Sequence, residues 1–400
     1  MSQRNISLEN IYQFLLISLA FTFPLTVFGG NLIILIIVIL WIFSGSYKSK
    51  FEEIFSSKLL IASIIFFSLH VLGLLWTEDI LWGLHIVKKM WYFLLLLPIL
   101  YTIVNSQYIK YYITAFLLAI ALTEVLSYLV WFEIISPFKN ANANNPTPFM
   151  SQVSHNVFLA FSIYLVAHQL LHKELHSKFK LIMGGLFTIT MCINMFITGG
   201  RAGQVMFFAM LSILVFQYFK SQKLKAILVT LILISSIFFI AYQTSGLFHE
   251  RVDLVIDNIA NYSLNKNTSV GERITFAINS WEIIKQNPFV GVGTGDFPFQ
   301  YAKVNQINTA ELLSSTNPHN MYTLVVVQLG LLGLVSLLSI FYMQIKLSFH
   351  QSNRFFRDVG VTLPLLFLVI MLSDSYLLGH YTTLLFVFFS SFLYKQFEEN

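Results

Sequence analysis

Long hydrophobic runs recur along this 400-residue chain, and most approach the ~20 residues that a helix needs to cross a bilayer. Hydrophobic residues make up 56% of the sequence and charged residues 11%, whereas soluble globular domains carry roughly 25% charged residues. The single cysteine, Cys192, lies inside a hydrophobic run, which indicates core packing and neither a disulfide nor a metal site. The sequence therefore predicts an all-α integral membrane protein and excludes a soluble domain.

The hydrophobic runs predict about twelve transmembrane helices. They cover roughly residues 10–28, 31–46, 58–76, 82–104, 110–132, 153–171, 181–198, 202–219, 225–243, 320–344, 359–377 and 381–394. This pattern divides the chain into transmembrane helices 1–9 over residues 1–243, a long polar loop over residues 244–319, and transmembrane helices 10–12 with the C-terminus over residues 320–400.

Lysine and arginine are distributed unequally between the short loops. Placing the N-terminus in the cytoplasm puts most basic residues in cytoplasmic segments, including those of residues 173–180 and 346–357. The short outer loops then hold only Lys139 and Arg201. The net charge of +5 therefore follows from topology, and we expect no nucleic-acid partner. This orientation places residues 244–319 outside and both termini in the cytoplasm.

The long polar loop contains two predicted amphipathic helices. Apolar residues repeat at helical spacing over residues 248–262 and again over residues 270–284. Each helix is expected to pack its apolar stripe on the membrane domain or at the membrane interface. Ser269, with Glu272 three residues later, predicts a capping box at the start of the second helix. The glycine-rich residues 291–295 are predicted to form a flexible turn.

Three arginines outside the cytoplasmic segments are candidates for binding an anion. Arg201 follows the turn at residues 198–200 between two predicted spans, where burying a guanidinium is costly unless it has a partner. Its planar fork suits phosphate oxygens. Arg273 lies in the first turn of the second loop helix, whose free N–H groups already favour anions. Arg251 lies among acidic residues, and a structural ion pair is the alternative for each arginine.

A histidine and an aspartate lie at the outer ends of predicted spans. His319 follows Pro318, and histidine is the side chain best suited to take up a proton near neutral pH. The alternative is an ordinary histidine at a membrane interface. Asp374 can pair with Arg201 or Arg273, or it can cap its helix. Position alone does not decide between these roles.

Motifs for metals and nucleotides are missing from the sequence. No Walker-type loop, no Asp-x-Asp pair and no Cys/His cluster occurs. The dipeptide Glu78-Asp79 in an outer loop can hold a divalent ion, but an ordinary solvated turn is the favoured interpretation. We therefore predict no cofactor and no metal.

Short motifs between residues 190 and 335 are similar to those of a known family. They are Thr198-Gly-Gly-Arg201 before a span, Gly271-Glu-Arg273 leading to Asn287-Pro-Phe, Asn317-Pro-His319-Asn, and Gln328-x-Gly330-x-x-Gly333. In their order and topology they resemble the O-antigen ligase and polymerase family of bacterial membrane glycosyltransferases. The N-terminal half matches this family only in its hydrophobic pattern.

The resemblance implies a metal-independent glycosyltransferase of lipopolysaccharide biosynthesis in the bacterial inner membrane, with its active site on the periplasmic face. Its donor would be a glycan linked to undecaprenyl diphosphate, and its acceptor a lipid A-core sugar or another glycan. By resemblance, Arg201, Arg273 and Arg251 bind the diphosphate, His319 is the catalytic base and Asp374 supports it. A repeat-unit polymerase or a protein O-oligosaccharyltransferase is the alternative. A transporter is less favoured, because the polar residues gather at the outer face.

Overall fold

The computed structural model describes residues 7–139, 141–174 and 176–397. The regular secondary structure within these residues is helical, apart from one isolated β-bridge between Asn142 and Asn145. The helices are α1 (Leu8–Thr22), α2 (Val27–Phe43), α3 (Tyr47–Ser56), α4 (Lys58–Leu72), α5 (Ile80–Lys89), α6 (Leu97–Ile103), α7 (Ile109–Trp131), α8 (Gln152–Leu171), α9 (Lys178–Ile197), α10 (Arg201–Phe219), α11 (Lys223–Thr244), α12 (Gly246–Ala260), α13 (Gly271–Gln286), α14 (Phe297–Asn308), α15 (Met321–Phe349), α16 (Arg354–Ile370) and α17 (His380–Leu393). The predicted all-α class is confirmed for the described residues. The cytoplasmic placement predicted for residues 1–6 and 398–400 lies outside them.

Seven helical segments of the described chain are long and apolar enough to cross a membrane. They are Lys58–Trp76, Ile80–Ile103, Ser106–Trp131, Lys178–Ile197, Arg201–Phe219, Lys223–Thr244 and Met321–Phe349. An eighth results if α2 and α3, which are bent by 116° at a short break, are counted as one broken span. The other predicted spans correspond to shorter or less apolar helices, so the number twelve stays a prediction.

One compact unit comprises Met1–Leu35 and Gln107–Leu254. Its core includes the mutually packed rings of Phe23, Phe116 and Phe158, with centroids 5.8 to 5.9 Å apart. Helices α8 and α10 approach closely, and a Cβ built on Gly203 would lie 2.2 Å from the Cβ of Asn156. Glycine at position 203 therefore allows the backbone of α10 to lie against α8.

The second compact unit comprises Ile36–Ser106 and Val255–Asn400. Here α15 packs against α4 and α16, and α17 packs against α6. The long helix α15 is interrupted at Gly330, whose φ of 62° and ψ of −159° are not helical. Without a Cβ, glycine adopts this positive φ at little cost.

Residues 291–295 fill the interruption of α15. The N–H of Gly293 donates to the carbonyl of Gln328 at 3.0 Å, and the N–H of Leu332, one turn further along, donates to Phe289 O at 3.2 Å. A Cβ on Gly291 would lie 2.4 Å from the backbone of Gln328. The prediction of a flexible turn is therefore wrong, because these glycines let the segment replace the helix hydrogen bonds that the break removes.

The long polar loop has more helix than the sequence indicated. The two predicted amphipathic helices are present as α12 and α13, and α14 is an additional one. Helix α13 begins at Gly271, and its N-cap residue Val270 provides no capping side chain. The helix thus begins one residue later than the predicted capping box requires, and Thr268 Oγ1 accepts a hydrogen bond of 3.0 Å from the N–H of Gly271.

The buried face of α13 differs from its apolar stripe. Ile278 and Trp281 are 50% and 58% exposed, whereas Phe276 and Asn279 are buried. Asn279 Nδ2 donates to Thr309 Oγ1 at 2.9 Å, which compensates its burial. Hydrogen bonding as well as hydrophobicity therefore determines which face of α13 is buried. The exposed stripe leaves an interfacial role open.

Candidate functional site

His319 lies in a short irregular segment immediately before α15. Its φ of 50° is in the left-handed region, which costs a non-glycine residue of the order of 1 kcal/mol. The N–H of His319 donates to Asn317 Oδ1 at 3.0 Å, and this turn holds the strained backbone. The side chain of Asn320 then caps α15 by accepting from Thr323 N at 3.0 Å. The histidine is thus fixed from both sides.

Asp374 lies beside His319 although it comes after α16. One oxygen, Asp374 Oδ1, lies 3.3 Å from His319 Nδ1, which is buried and makes no well-aligned hydrogen bond. The same oxygen accepts from Asn317 Nδ2 at 3.1 Å and from the N–H of Ser375 at 2.7 Å. Ser375 Oγ in turn donates to Asn317 Oδ1 at 2.8 Å. We call Asn317, His319, Asp374 and Ser375 the His319 cluster.

The electrostatics of the His319 cluster favour an ionised Asp374. Burial raises the pKa of Asp374, but the contact with His319, the backbone N–H of Ser375 and the charges of His319 and Arg273 outweigh it and hold the pKa below its usual value. The carboxylate is therefore present at neutral pH. An ionised carboxylate next to Nδ1 favours the proton on that nitrogen.

The first two turns of α13 contribute to the surroundings of His319. Phe276 stacks on the imidazole, with ring centroids 5.9 Å apart and an interplanar angle of 27°. Arg273, one turn earlier, is exposed, and its charge acts on Asp374. The structure therefore brings three of the predicted residues, Arg273, His319 and Asp374, into one electrostatic neighbourhood. The sequence had left the partner of Asp374 open.

The turn at residues 198–201, in the other compact unit, is held by the side-chain amides of two asparagines. The N–H of Gly199 donates to Asn145 Oδ1 at 3.1 Å, and Gly200 O accepts from Asn156 Nδ2 at 3.2 Å. Thr198 Oγ1 donates to Asn156 Oδ1 at 2.7 Å. A Cβ on Gly200 would lie 2.4 Å from a backbone oxygen of α8, so the turn needs glycine there. Arg201 follows as the first residue of α10.

Arg251 on α12 lies against the same turn. Its Nη2 would be 4.0 Å from a Cβ placed on Gly199, and its Nε is buried without a hydrogen-bond partner among the described residues. A buried donor with no acceptor costs about 1–3 kcal/mol unless a ligand or water supplies one. The position thus suits an anion bound beside the turn. We call residues 198–201 together with Arg251 the arginine turn.

An apolar cavity of about 920 Å³ begins next to the arginine turn. Much of its wall comes from α9 and α11, and it includes Ile189, Ile193, Ile197, Ile237 and Ile240. Leu247 and Glu250 of α12 also line it. Ser245 Oγ donates to Phe196 O at 2.7 Å and ties the start of α12 to the end of α9. Ile197 directly precedes Thr198, so the cavity and the turn are continuous along α9.

Glu78 and Asp79 have structural partners. Their N–H groups donate to the buried carboxylate of Asp296 at 2.7 and 2.8 Å, and Asp79 Oδ1 caps α5. Glu78 Oε1 lies 3.5 Å from Lys303 Nζ. Asp296 is fully buried and organises this turn. Both acidic side chains of the dipeptide are thus engaged in local structure.

Several residues that organise these sites were not identified from the sequence. Asn145 and Asn156 lie far along the chain from the turn that they support, and Ser375, although it follows Asp374 directly, also bonds the distant Asn317. One signal was present, because Asn317 is part of the motif that contains His319. For the others, an asparagine in a loop or a helix gives no indication of its distant partner.

A protein-family model and the sequence of one known protein match parts of this chain. Residues 186–338 match a family described as O-antigen ligase, and this stretch contains Arg201, Arg251, Arg273 and His319 but not Asp374. A protein of Haemophilus influenzae described as uncharacterized is 28% identical over 202 residues, which is 48% of this chain and 50% of the relative. The match thus spans about half the length of that relative. The resemblance to the O-antigen ligase family is confirmed over residues 186–338.

Proposed function

We propose, from the O-antigen ligase domain of residues 186–338, that this chain is a membrane glycosyltransferase. It transfers a glycan from undecaprenyl diphosphate to an acceptor hydroxyl. The observation that carries the proposal is the contact of His319 Nδ1 with the ionised Asp374. The chemistry of this pair is that of a base held by a carboxylate.

The proposed base is His319 Nε2. With Asp374 next to Nδ1, a neutral imidazole keeps its proton on Nδ1 and offers Nε2 as the acceptor. Since Nδ1 is buried and 39% of the side chain is exposed, substrate reaches the ring from the other edge. The acceptor hydroxyl gives its proton to Nε2 while its oxygen bonds to the anomeric carbon. The bond from that carbon to the phosphate oxygen breaks, and undecaprenyl diphosphate leaves with the electron pair.

The arginines are assigned to the diphosphate. Arg201, Arg251 and Arg273 offer planar donor forks that suit phosphate oxygens. The buried and unpartnered Nε of Arg251 supports this assignment most directly. Donors aimed at a leaving group whose charge develops during the reaction commonly supply about 3–4 kcal/mol each. We propose that no metal is needed, because the guanidinium groups provide this stabilisation.

The apolar cavity is assigned to the first isoprene units of the donor lipid. Most of its lining residues are apolar side chains of α9 and α11, and the lining residue Ile197 directly precedes the arginine turn. A lipid diphosphate has the same arrangement, with an anionic head directly attached to an apolar chain. The volume of about 920 Å³ accommodates only part of so long a chain. The remainder would lie in the bilayer.

The proposal includes a membrane arrangement. We place the protein in the bacterial inner membrane with about twelve crossings, both termini in the cytoplasm and residues 244–319 in the periplasm. Lipid A-core is the proposed acceptor. A repeat-unit polymerase or a protein O-oligosaccharyltransferase would use the same donor and the same base, and only the acceptor differs.

The test is reconstitution of the purified chain with an undecaprenyl-diphosphate-linked glycan and lipid A-core in EDTA. We expect polymer joined to lipid A-core. Transfer lost in EDTA and restored by Mg²⁺ would contradict the metal-independent mechanism. Expression of the chain in a ligase-deficient strain then identifies the acceptor, because polymer on lipid A-core indicates a ligase and lengthened lipid-linked polymer indicates a polymerase.

A further inference from the structure

A second cavity lies in the unit formed by Ile36–Ser106 and Val255–Asn400, at the end of α15 away from His319. Its volume is about 430 Å³, and it is lined by the ends of α3, α15 and α17, the start of α4 and Tyr101 of α6. It belongs to the lysine-rich side that we predict to face the cytoplasm. Nothing in the proposed transfer reaction uses it.

The lining of this cavity is positively charged. Lys58, Lys346 and Lys395 contribute to it, against the single carboxylate of Glu53. Lys395 Nζ is 2.8 Å from Glu53 Oε1 and donates to Tyr101 O at 2.7 Å, so this pair is neutralised within the wall. Among the described residues, Lys58 and Lys346 have no acidic partner. Lys346 Nζ lies 5.8 Å from the centroid of the Tyr342 ring, so the charges of both lysines are left without a carboxylate to neutralise them.

The start of α4 adds to the positive electrostatic potential of the cavity. Ser57 is the N-cap of α4 and lines the cavity, and Lys58 is the first helical residue. A helix N-terminus carries a partial positive charge and presents N–H groups to anions. His350 Nδ1 contacts the carbonyl of Lys346 at 2.7 Å, which directs the ring nitrogen Nε2 away from the backbone of α15. The combination favours a tetrahedral oxyanion such as a phosphate group.

Two exposed aromatic residues are next in sequence to residues that line the cavity. Phe55, next to the lining residue Ser56, is 61% exposed, and Phe349, next to His350, is 67% exposed. Phe51 stacks on Phe55 along α3, and α3 is bent by 116° from α2. If α2 is inclined to cross the bilayer, so sharp a bend places α3 along the membrane surface with its rings towards the lipid. Exposed rings beside a cationic cavity match a phospholipid rather than a soluble ion.

We propose that this cavity binds the phosphate headgroup of an anionic membrane phospholipid, with Lys58 and Lys346 on the phosphate and Phe55 and Phe349 against the acyl chains. Basic pockets between membrane helices on the cytoplasmic side recognise such headgroups. The site is independent of glycosyl transfer, so it stands or fails apart from the proposed function.

The experiment compares lipid retention by native mass spectrometry of the full chain purified from nanodiscs of phosphatidylglycerol and phosphatidylcholine. The cavity variant is Lys58→Gln/Lys346→Gln. The matched control is Lys223→Gln/Lys225→Gln, which removes the same charge from exposed residues of α11 outside the cavity. We expect the cavity variant to retain phosphatidylglycerol roughly 25-fold less than the wild type, about fivefold for each lysine. The control should retain it like the wild type.

Millimolar inorganic phosphate distinguishes the source of the phosphate group. Failure of phosphate to displace the lipid supports a phospholipid headgroup. Displacement that depends on the same two lysines supports the anion site and assigns it to a soluble phosphate compound. Equal retention by the wild type and the cavity variant, or equal loss in the control, would overturn the proposal. The single variants Lys58→Gln and Lys346→Gln give the same decision if the double variant does not purify as a folded protein.

Discussion

The arginine turn and the His319 cluster are built on different principles. At the turn, Gly199 and Gly200 are hydrogen-bonded to the side chains of Asn145 and Asn156, and the Nε of Arg251 has no partner among the described residues. In the His319 cluster the imidazole, an amide and a backbone N–H converge on one carboxylate oxygen. The first arrangement leaves a cationic donor for a ligand, whereas the second uses its anion internally. This difference supports our proposal that one region binds the donor and the other moves a proton.

The largest expected effect comes from removing the base. We expect His319→Ala to lower the rate of transfer by roughly 10²–10⁴-fold, which is the usual contribution of a general base. Donor affinity should stay near the wild-type value, because the arginines carry it. Transfer by purified protein and binding of the lipid-linked donor measure the two quantities. A large loss of donor affinity in this variant would mean that His319 also binds the donor. That result would contradict the separation of proton transfer from donor binding.

A somewhat smaller loss is expected from changing the cation at the arginine turn. Arg201→Lys should be nearly as damaging as Arg201→Ala, with transfer reduced roughly 100-fold, because lysine has one ammonium group and no planar fork. Arg273→Lys should be milder, since the start of α13 supplies further donors. Full activity of the Arg201→Lys variant would mean that charge alone is needed there.

The carboxylate of the His319 cluster should matter less than the imidazole. Asp374→Asn is expected to lower transfer roughly 10- to 100-fold, because the amide cannot hold the proton on His319 Nδ1 as the carboxylate does. The matched control is Glu282→Gln, which neutralises a carboxylate paired with Lys285 on α13. Transfer by the control should be unchanged. Equal activity of Asp374→Asn and the wild type would remove the carboxylate from the mechanism.

Stability against pH gives an independent check on Asp374. Because its pKa in the folded protein is below the usual value, the unfolded chain binds more protons in acid. The stabilisation is complete above the unfolded pKa of about 3.9 and is lost as pH falls through the lower folded pKa. The difference in thermal stability between the wild type and Asp374→Asn should therefore shrink as the pH falls below about 4. A constant difference would contradict an ionised Asp374.

The smallest effect on transfer is expected from a residue that supports the backbone of the arginine turn. Asn145→Ala removes the acceptor for the N–H of Gly199, and a lost hydrogen bond of about 1 kcal/mol predicts a roughly fivefold rise in the KM for the donor. The kcat should change little. Asn267→Ala, an exposed asparagine of the long loop, is the matched control. A selective fall in kcat would show that the turn takes part in more than donor binding.

The secondary-structure elements could be predicted from the sequence more accurately than the tertiary contacts of individual residues. Apolar periodicity located α12 and α13 to within about two residues. Helix α14 was missed, because its sequence is polar and its buried residues, Phe297, Tyr301 and Asn305, are few. The buried face of α13 was also mistaken, since Asn279 is satisfied by Thr309 and Ile278 is left exposed. Helix propensity and apolar periodicity are properties of the helix sequence alone. Which face is buried depends also on the residues elsewhere in the chain that pack against the helix.

The candidate site shows the same limit. Arg201, Arg251, Arg273, His319 and Asp374 were all named from the sequence, and their proposed roles stay predictions. The contact between His319 and Asp374 joins residues on either side of α15 and α16, so local pattern gives no signal for it. The glycines of residues 291–295 were visible, but their purpose depends on the break of α15 at Gly330. Tertiary partners decide whether a glycine-rich segment is flexible or tightly packed.

The most direct test of the division between the two regions measures donor affinity and single-turnover rate in two variants side by side. His319→Gln keeps a hydrogen-bonding side chain but cannot take up the proton, and Arg201→Ala removes the cation of the arginine turn. The account predicts that His319→Gln loses at least roughly 100-fold in single-turnover rate at saturating donor and keeps its donor affinity. Arg201→Ala should lose donor affinity by at least roughly tenfold. If His319→Gln retained most of the rate, or if both variants lost donor affinity alike, the division of work between base and donor site would be wrong.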